Sequence, residues 1–289
     1  MQPVLDRYVA YDPPKNQLLK WVGNKQKFAT EITKHFPSNF YRYYEPFLGS
    51  AAILATVAPA SGFGSDTFKP LIDIWKKLAT DPKGLIDWYA SRRGRIGKAS
   101  KEEVYQSVLA SYNANPNGPD FLFLSRSCYG GIIRFRKVDG HMSTPCGVHD
   151  PISVERFKLR VLEWRKRLQR VEFEHCDYKE SFSFAKKGDL IYCDPPYVDS
   201  QSILYGAQDF SFNELVAEID KVKQRGVKVA LSIDGHKKSG AHIVDLSIPQ
   251  QLFKNEILID CGHSMLRRFQ LEGMTMEDER VHDRLLLTY

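Results

Sequence analysis

The residues best suited to chemistry lie at positions 190–197, which read Leu-Ile-Tyr-Cys-Asp-Pro-Pro-Tyr. The apolar run predicts a buried strand, and the two prolines after Asp194 cannot extend the hydrogen-bond ladder of a sheet. Asp194 is therefore presented at a strand end. Its carboxylate, the Pro195 carbonyl and the Tyr197 ring together suit a planar substrate that carries an amino group, such as a nucleic-acid base.

A second Asp-Pro-Pro sequence begins at Asp12 and serves as an internal control. Lys15 follows it in place of an aromatic residue, and the surrounding segment is polar. These features predict a simple turn. The buried strand before Asp194 and the aromatic ring after it therefore carry the prediction of a site, because the tripeptide alone does not.

Two further strand-to-helix turns carry residues that could hold a nucleotide. Glu45 ends a strand-like aromatic run, and Gly49 in the following loop permits a close approach of the backbone to a ligand. Asp66 follows after roughly twenty residues, where nucleotide-binding folds place a carboxylate for ribose. The G-x-G-x-x-G fingerprint of dinucleotide binding is absent, which disfavours a nicotinamide dehydrogenase.

The elements around these residues predict an α/β fold. Apolar strand runs alternate with helical segments in 1–75 and 166–289, which indicates a Rossmann-like, mixed, mostly parallel sheet flanked by helices. Residues 76–165 lack this alternation and predict an inserted, mainly helical domain that contains a hairpin. We therefore divide the chain into a catalytic domain (1–75 and 166–289) and an inserted domain (76–165).

Positive charge is concentrated in the middle of the chain. Residues 76–170 hold 19 Lys and Arg against 9 Asp and Glu, whereas residues 171–289 hold 14 against 20. A polyanion-binding surface has this pattern, although a solvated helix face would also be basic. Cations, aromatic rings and glycines alternate around 126–137 and predict a DNA-contacting hairpin, with an ordinary β-hairpin as the alternative. The candidate contacts are Arg126, Tyr129, Arg134, Arg136 and Lys137.

Cysteine spacing and hydropathy disfavour several other classes of protein. The five cysteines are scattered and include no C-x-x-C pair, so we predict neither a disulfide framework nor a zinc site, and we assign no metal. No apolar run approaches about 18 residues, and the first residues lack the pattern of a secretory signal. We expect a cytoplasmic protein with no membrane partner.

Taken in order, these blocks resemble those of the Dam-type DNA adenine-N6 methyltransferases over most of the chain. The segment 19–25 resembles the family's Lys-Trp-x-Gly-Gly-Lys block, 45–50 its cofactor loop, 126–135 its target-recognition hairpin and 194–197 its catalytic block. The resemblance implies S-adenosyl-L-methionine as cofactor and double-stranded DNA as partner. It assigns the cofactor contacts to Trp21, Lys25, Glu45, Phe47, Gly49, Asp66, Asp177 and Asp194.

The resemblance also implies a mechanism. Asp194 and the Pro195 carbonyl are expected to accept the two hydrogens of the adenine amino group, while Tyr197 stacks on a base flipped out of the duplex. The inserted domain becomes the target-recognition domain. We expect a monomer, associated with the nucleoid through DNA, that could act beside a cognate restriction endonuclease.

Two positions depart from the family pattern. Asn24 replaces the second glycine of the first block, at a turn where Asn is tolerated better than most residues, and Ala51 replaces a glycine and is expected to tighten the cofactor loop. Three alternatives stay open at this level: methylation of cytosine N4, methylation of RNA, and a non-catalytic DNA-binding module on the same scaffold.

Overall fold

A β-sheet forms the centre of the protein. The computed structural model describes residues 11–196, 210–234, 248–249, 251–263 and 280–289. Tyr197 lies outside the described residues. The strands are β1 (Tyr43–Glu45), β2 (Gly62–Asp66), β3 (Val171–His175), β4 (Leu190–Cys193), β5 (Lys228–Asp234), β6 (Asn255–His263) and β7 (Arg280–Leu287).

These strands build one mixed sheet in the order β3-β2-β1-β4-β5-β7-β6. The strands from β3 to β5 are parallel, and β7 lies antiparallel between β5 and β6. Across the sheet, β1, β2 and β3 follow one another towards one edge, whereas β4 and the later strands lie on the other side of β1. The sheet therefore has a topological switch point between β1 and β4, and ligands of open α/β sheets bind at the carboxyl ends of strands at such a point.

Helices surround the sheet. They are α1 (Ala29–Thr33), α2 (Ala52–Val57), α3 (Lys69–Thr80), α4 (Pro82–Arg93), α5 (Lys101–Ala114), α6 (Gly118–Ser127), α7 (Val154–Leu168), α8 (Tyr178–Phe184) and α9 (Phe212–Gln224). Side-chain caps start several of them, including a capping box between Ser100 and Glu103 at α5. Among the described helices, none is long and apolar enough to cross a membrane.

The core lies on both faces of the sheet, and the side chains of β4 contribute to both parts of it. Leu190 and Tyr192 belong to the cluster that contains Trp75 and Trp164, whereas Ile191 and Cys193 belong to the cluster beneath α8 and α9. Successive side chains of a strand point to opposite faces, so a strand covered on both sides must be apolar at every position. The sequence prediction of a mostly parallel, Rossmann-like α/β sheet is confirmed.

The middle of the chain is helical, as the sequence predicts. The predicted domain boundaries at 75/76 and 165/166 fall inside α3 and α7, and both helices pack into the larger core cluster. The division into a catalytic and a target-recognition domain stays a prediction. The strand β6 and the antiparallel direction of β7 had no counterpart in the sequence analysis.

Candidate active site

A cleft lies at the switch point of the sheet, where β1 ends at Glu45 and β4 leads into Asp194. The cleft holds about 390 Å³ of empty space, which includes open solvent at its mouth. Because β1 and β4 pair in parallel, their carboxyl ends bring these side chains to the same sheet edge. The lining residues are Trp21, Val22, Gly23, Lys25, Glu45, Phe47, Leu48, Gly49, Ser50, Ala52, Ile53, Tyr192 and Asp194.

Lys25 is the buried cation of the cleft, with 6% of its surface exposed. Its Nζ lies 2.9 Å from Asp194 Oδ1 and 3.4 Å from Asp283 Oδ2. Burial alone would disfavour the charged ammonium, but the two carboxylates outweigh burial and raise the pKa of Lys25. Lys25 therefore remains protonated and supplies a fixed positive charge beside Asp194.

Glu45 is a buried carboxyl group, with 3% of its surface exposed. Burial raises the pKa of Glu45 well above its ordinary value, and the nearby negative charge of Asp194 acts in the same direction. A hydrogen bond donated by the Tyr43 hydroxyl, 2.8 Å from Glu45 Oε2, partly offsets this effect. A carboxyl group held in this way gains from a cationic or hydrogen-bond-donating ligand.

The loop after β1 is held by backbone contacts on both sides of Gly49. The Gly49 N–H donates to Asp66 Oδ2 at 3.1 Å, and Trp75 Nε1–H donates to the Gly49 carbonyl at 3.1 Å. Gly49 has φ +46°, and a Cβ there would lie 2.8 Å from Trp21 Nε1. Glycine is therefore required both by the backbone conformation and by the ring that packs against it.

Asp66 supports this loop and does not line the cleft itself. Its other oxygen accepts the Phe68 N–H at 3.0 Å, and burial raises its pKa despite these two hydrogen bonds. Asp177 lies further away along the same sheet edge, where its exposed side chain caps α8 by accepting the Lys179 N–H. The structure thus brings together six of the predicted cofactor contacts and leaves these two outside the cleft.

Phe47 closes one side of the cleft. Its ring stacks on Tyr178 with the centroids 5.3 Å apart and meets Phe210 edge to face at 5.8 Å. Pro195 is buried directly after Asp194. In the described part of the chain, no group of three or more potential metal ligands comes together.

The basic hairpin, residues 128–146, lies beyond α6 as the sequence predicts. Antiparallel bridges pair Cys128 with Cys146 and Phe135 with Met142. Ile133 is buried, and the Phe135 ring packs against Phe68, so these side chains anchor the hairpin. The exposed side chains include Tyr129, Arg134, Arg136 and Lys137.

The hairpin connects to the cleft through aromatic contacts. The Phe68 ring lies 5.7 Å from Phe135 and 6.2 Å from Trp21, between centroids. The turn 129–131 also lies against the first sequence block, because a Cβ on Gly131 would meet the side chain of Lys20 at 3.0 Å. A position close to the cleft is what a substrate-reading element requires.

Arg126 differs from the other predicted DNA contacts. Its guanidinium donates to the carbonyls of Gln17 and Leu18 at 3.1 and 2.6 Å and lies over the Phe157 ring. Burial lowers the pKa of Arg126 to about 10, and the charge of Arg160 adds to this effect. Because α6 ends by turning this side chain inwards, Arg126 holds the segment before Trp21, and it does not extend from the exposed face of the hairpin.

The two departures from the family pattern have different structural consequences. Asn24 has an ordinary φ of −56° and caps the following turn by accepting the Gln26 N–H at 2.7 Å, while the left-handed position belongs to Gly23. Asn24 therefore fits this turn without a glycine-type conformation. Ala51 does occupy one, with φ +53°, and it is fully buried at the start of α2.

Sequence analysis missed Asp283, the second carboxylate beside Lys25. Asp283 lies in β7, directly before the run Arg284-Leu285-Leu286-Leu287. A carboxylate next to an apolar strand run was the available signal, the same signal that identified Asp194.

Comparison with known proteins finds several curated relatives. The chain is 29% identical to the Retron Ec67 DNA adenine methylase of Escherichia coli over 245 residues, which covers 82% of this chain and 80% of that protein. It is 26% identical to the DNA adenine methylase of Vibrio cholerae, covering 74% and 79%. It is 27% identical to the Type II methyltransferase M.MjaIII of Methanocaldococcus jannaschii, covering 74% and 82%.

A family model extends the comparison to the site itself. The model for the D12 class N6 adenine-specific DNA methyltransferase matches residues 21–259. The matched region includes every residue that lines the cleft, together with the basic hairpin. The chain therefore belongs to the D12 class of N6 adenine-specific DNA methyltransferases.

Proposed function

We propose that this adenine-specific DNA methyltransferase uses S-adenosyl-L-methionine as its methyl donor and binds it in the cleft between the ends of β1 and β4. The cofactor supplies an activated methyl group on a cationic sulfur. The chain supplies binding, orientation and charge. This proposal rests mainly on one observation: Asp194 stands beside the buried Glu45 at the topological switch point of the sheet.

The residues of the cleft fit such a ligand. Glu45 provides a buried carboxyl group that a positive charge or a hydrogen-bond donor would stabilise. Trp21 and Phe47 provide aromatic faces, and Gly49 keeps the backbone close to the cleft. The lining combines one cation, Lys25, with two carboxyl groups, Glu45 and Asp194, and therefore suits a ligand that carries both charges. Asp66 acts indirectly, by fixing the Gly49 loop.

Asp194 is the residue that prepares the adenine. The lone pair of the adenine amino group is delocalised into the ring, so the group is a poor nucleophile until its hydrogens are held. The Asp194 carboxylate and the Pro195 carbonyl would accept hydrogen bonds from this group, which would favour a tetrahedral nitrogen whose localised lone pair can attack a bound methyl donor. Acceptors placed in advance also stabilise the positive charge that develops on the nitrogen.

The adenine reaches this site by flipping out of the duplex, at a cost of a few kcal/mol. Tyr197 follows Asp194 by three positions and stacks on the extruded base. Tyr129, Arg134, Arg136 and Lys137 contact the DNA, since they extend from the exposed face of the basic hairpin. Arg126 supports the neighbouring segment 17–18 instead.

The enzyme works as a monomer on the DNA of the nucleoid, in the cytoplasm. One relative bears the name of a Type II methyltransferase and another that of a retron methylase. A cognate restriction endonuclease is therefore one possible partner in the cell, and a search of the neighbouring genes for a nuclease tests this part of the proposal.

Replacing Asp194 with Ala tests the proposed chemistry. We expect transfer of labelled methyl groups from S-adenosyl-L-methionine to duplex DNA to fall by about 10²–10³-fold, because an acceptor of the developing charge is lost. Asp12→Ala is the matched control, since Asp12 also precedes two prolines but is exposed at the start of the described chain. Mass spectrometry of the nucleosides identifies the product as N6-methyladenine. Near-normal methylation by a folded Asp194→Ala variant would contradict the proposal.

A further inference from the structure

Two carboxylates, not one, hold the buried ammonium of the cleft. Lys25 Nζ lies 2.9 Å from Asp194 and 3.4 Å from Asp283, and the Asp283 side chain is only 10% exposed. Asp283 belongs to β7, which β5 separates from β4. In register it stands opposite Asp234, the last residue of β5, so it lies level with the carboxyl edge where the cleft opens.

We propose that Asp283 is a positioning residue of the methyl-transfer site, which fixes the Lys25 ammonium against the catalytic carboxylate of Asp194. This inference rests on the function proposed above. Asp283 contacts no cleft-bound ligand in this scheme and acts through Lys25. No block of the family resemblance includes it, and it lies beyond the matched residues 21–259.

The geometry of an ammonium group explains why a second acceptor matters. Lys25 carries N–H donors in a tetrahedral arrangement on a flexible four-carbon chain, so one carboxylate leaves the head group free to rotate and shift. A second carboxylate on a different strand sets the direction of the first contact. Because Asp194 must aim its oxygens at an amino group, a fixed direction favours the reactive geometry.

The surrounding charges give Asp283 a second effect. Cys261 on β6 also faces Lys25, and burial raises the pKa of that thiol to about 12, so it stays neutral. Glu45 on β1 and Tyr192 on β4 lie near Asp194. Among the described residues around Lys25, the charges that favour the ammonium therefore come from Asp194 and Asp283. Removing Asp283 takes away one of these two carboxylates, which lowers the pKa of Lys25.

The test is Asp283→Asn, which keeps the shape of the side chain and removes its charge. We expect kcat for DNA methylation to fall by about 10–100-fold, with a smaller change in KM for S-adenosyl-L-methionine. We also expect a loss of activity at alkaline pH that sets in at a lower pH than in the wild type, because the Lys25 ammonium now deprotonates more easily. If Asp283 only stabilised the fold, its replacement would not change the alkaline pH at which activity falls.

Two further variants complete the test. Asp283→Glu restores the charge and should restore the wild-type alkaline limb, although its longer chain leaves kcat about three- to tenfold lower. Asp260→Asn is the matched control, an exposed carboxylate on the neighbouring strand, and it should leave both measurements unchanged. If Asp283→Asn does not fold, Asp283→Glu still decides, because an unchanged kcat in that variant overturns the inference.

The outcomes separate this inference from the proposed function. Wild-type kcat and pH profile in Asp283→Asn, with an inactive Asp194→Ala, would overturn the role of Asp283 and leave the proposed chemistry standing. An active Asp194→Ala would overturn the proposed chemistry itself, and the role of Asp283 with it.

Discussion

The cleft and the basic hairpin both carry charge, but they hold it in opposite ways. In the cleft, Lys25 and Glu45 are almost completely buried, and ion pairs and hydrogen bonds fix each of them. At the hairpin, Arg136 pairs with Asp139 in solvent, and Val138 at the tip is 88% exposed. The hairpin is held by its inward-facing side chains, Ile133 and Phe135, and not along its charged face.

This difference matches the different tasks that we propose for the two regions. Methyl transfer gains from charges that are already in place before the substrate arrives, because no reorganisation is then needed during the reaction. Recognition of DNA relies on contacts to phosphates and base edges, and exposed Arg and Lys side chains can adjust to them. Substitutions in the cleft should therefore affect stability and catalysis together, whereas substitutions on the hairpin should affect binding alone.

The largest effect is expected for Gly49→Ala in the cleft. The new Cβ would meet Trp21 at 2.8 Å, and the left-handed backbone disfavours any side chain. We expect a loss of about 2–4 kcal/mol in the free energy of unfolding and at least a tenfold weaker binding of S-adenosyl-L-methionine. Urea unfolding and calorimetric titration measure the two quantities.

Ala51→Gly is the control for this prediction, since Ala51 is also left-handed, with φ +53°. Relief of backbone strain, about 1–2 kcal/mol, is opposed by the greater freedom of the unfolded chain and by the loss of a buried methyl group. The net change should stay within about 1 kcal/mol. Effects of equal size and opposite sign in the two variants would show that backbone conformation alone, and not the Trp21 contact, controls the loop.

On the hairpin, Arg134→Ala should weaken DNA binding by about tenfold and reduce the salt dependence by about one phosphate contact. The side chain is exposed, so the free energy of unfolding should hardly change. Binding measured between about 50 and 200 mM salt gives the slope. Arg126→Met is the matched control, and it should do the reverse: lower stability by about 1–2 kcal/mol and keep the slope. If Arg126→Met changed the salt dependence of DNA binding, Arg126 would have to be counted among the DNA contacts.

The smallest effect is a pH-dependent change in stability for Glu45→Gln. Burial raises the pKa of Glu45 above 4.5, so its contribution to stability is present below that pH and is lost as pH rises through the raised folded-state pKa. Gln does not titrate, so the variant should gain stability relative to the wild type between about pH 5 and pH 8, by up to about 1 kcal/mol. Urea unfolding at both pH values measures the gain.

Asp139→Asn on the hairpin is the comparison for Glu45→Gln. A backbone hydrogen bond from His141 and the contacts with Arg136 lower the pKa of this exposed carboxylate. Its contribution is therefore present at neutral pH and lost as pH falls through the lowered pKa. The difference in the free energy of unfolding between Asp139→Asn and the wild type should thus have the opposite sign to the difference for Glu45→Gln. If both variants changed the free energy of unfolding with the same sign, the cleft and the hairpin would not differ in how they hold their charged groups.

Sequence patterns predicted the local features of the fold and site well. Glu45 ends a recognisable strand and Asp194 follows one, and six of the predicted cofactor contacts meet in one cleft. Such features depend on neighbours in the sequence, which periodicity and turn residues report directly. The confirmed family membership and α/β fold rest on the same blocks.

Features that depend on distant parts of the chain were not predictable in this way. The pairing of β7 between β5 and β6 brings Asp283 to Lys25, and no local pattern encodes that neighbour. Arg126 shows the same limit, because sequence spacing placed it beside the hairpin but could not show that α6 turns it inwards. Asp177 follows a strand end like the others, yet it lies too far along the edge to reach the cleft.

The contact between Lys25 and Asp283 joins residues that are separated by almost the whole of the 289-residue sequence. Contacts of such long range are slow to form, because the entropy of closing the intervening chain opposes them. A nascent chain that already contains the cofactor loop and Asp194 still lacks this last partner. The enzyme would thus acquire its full activity only after β7 has been synthesised and added to the sheet.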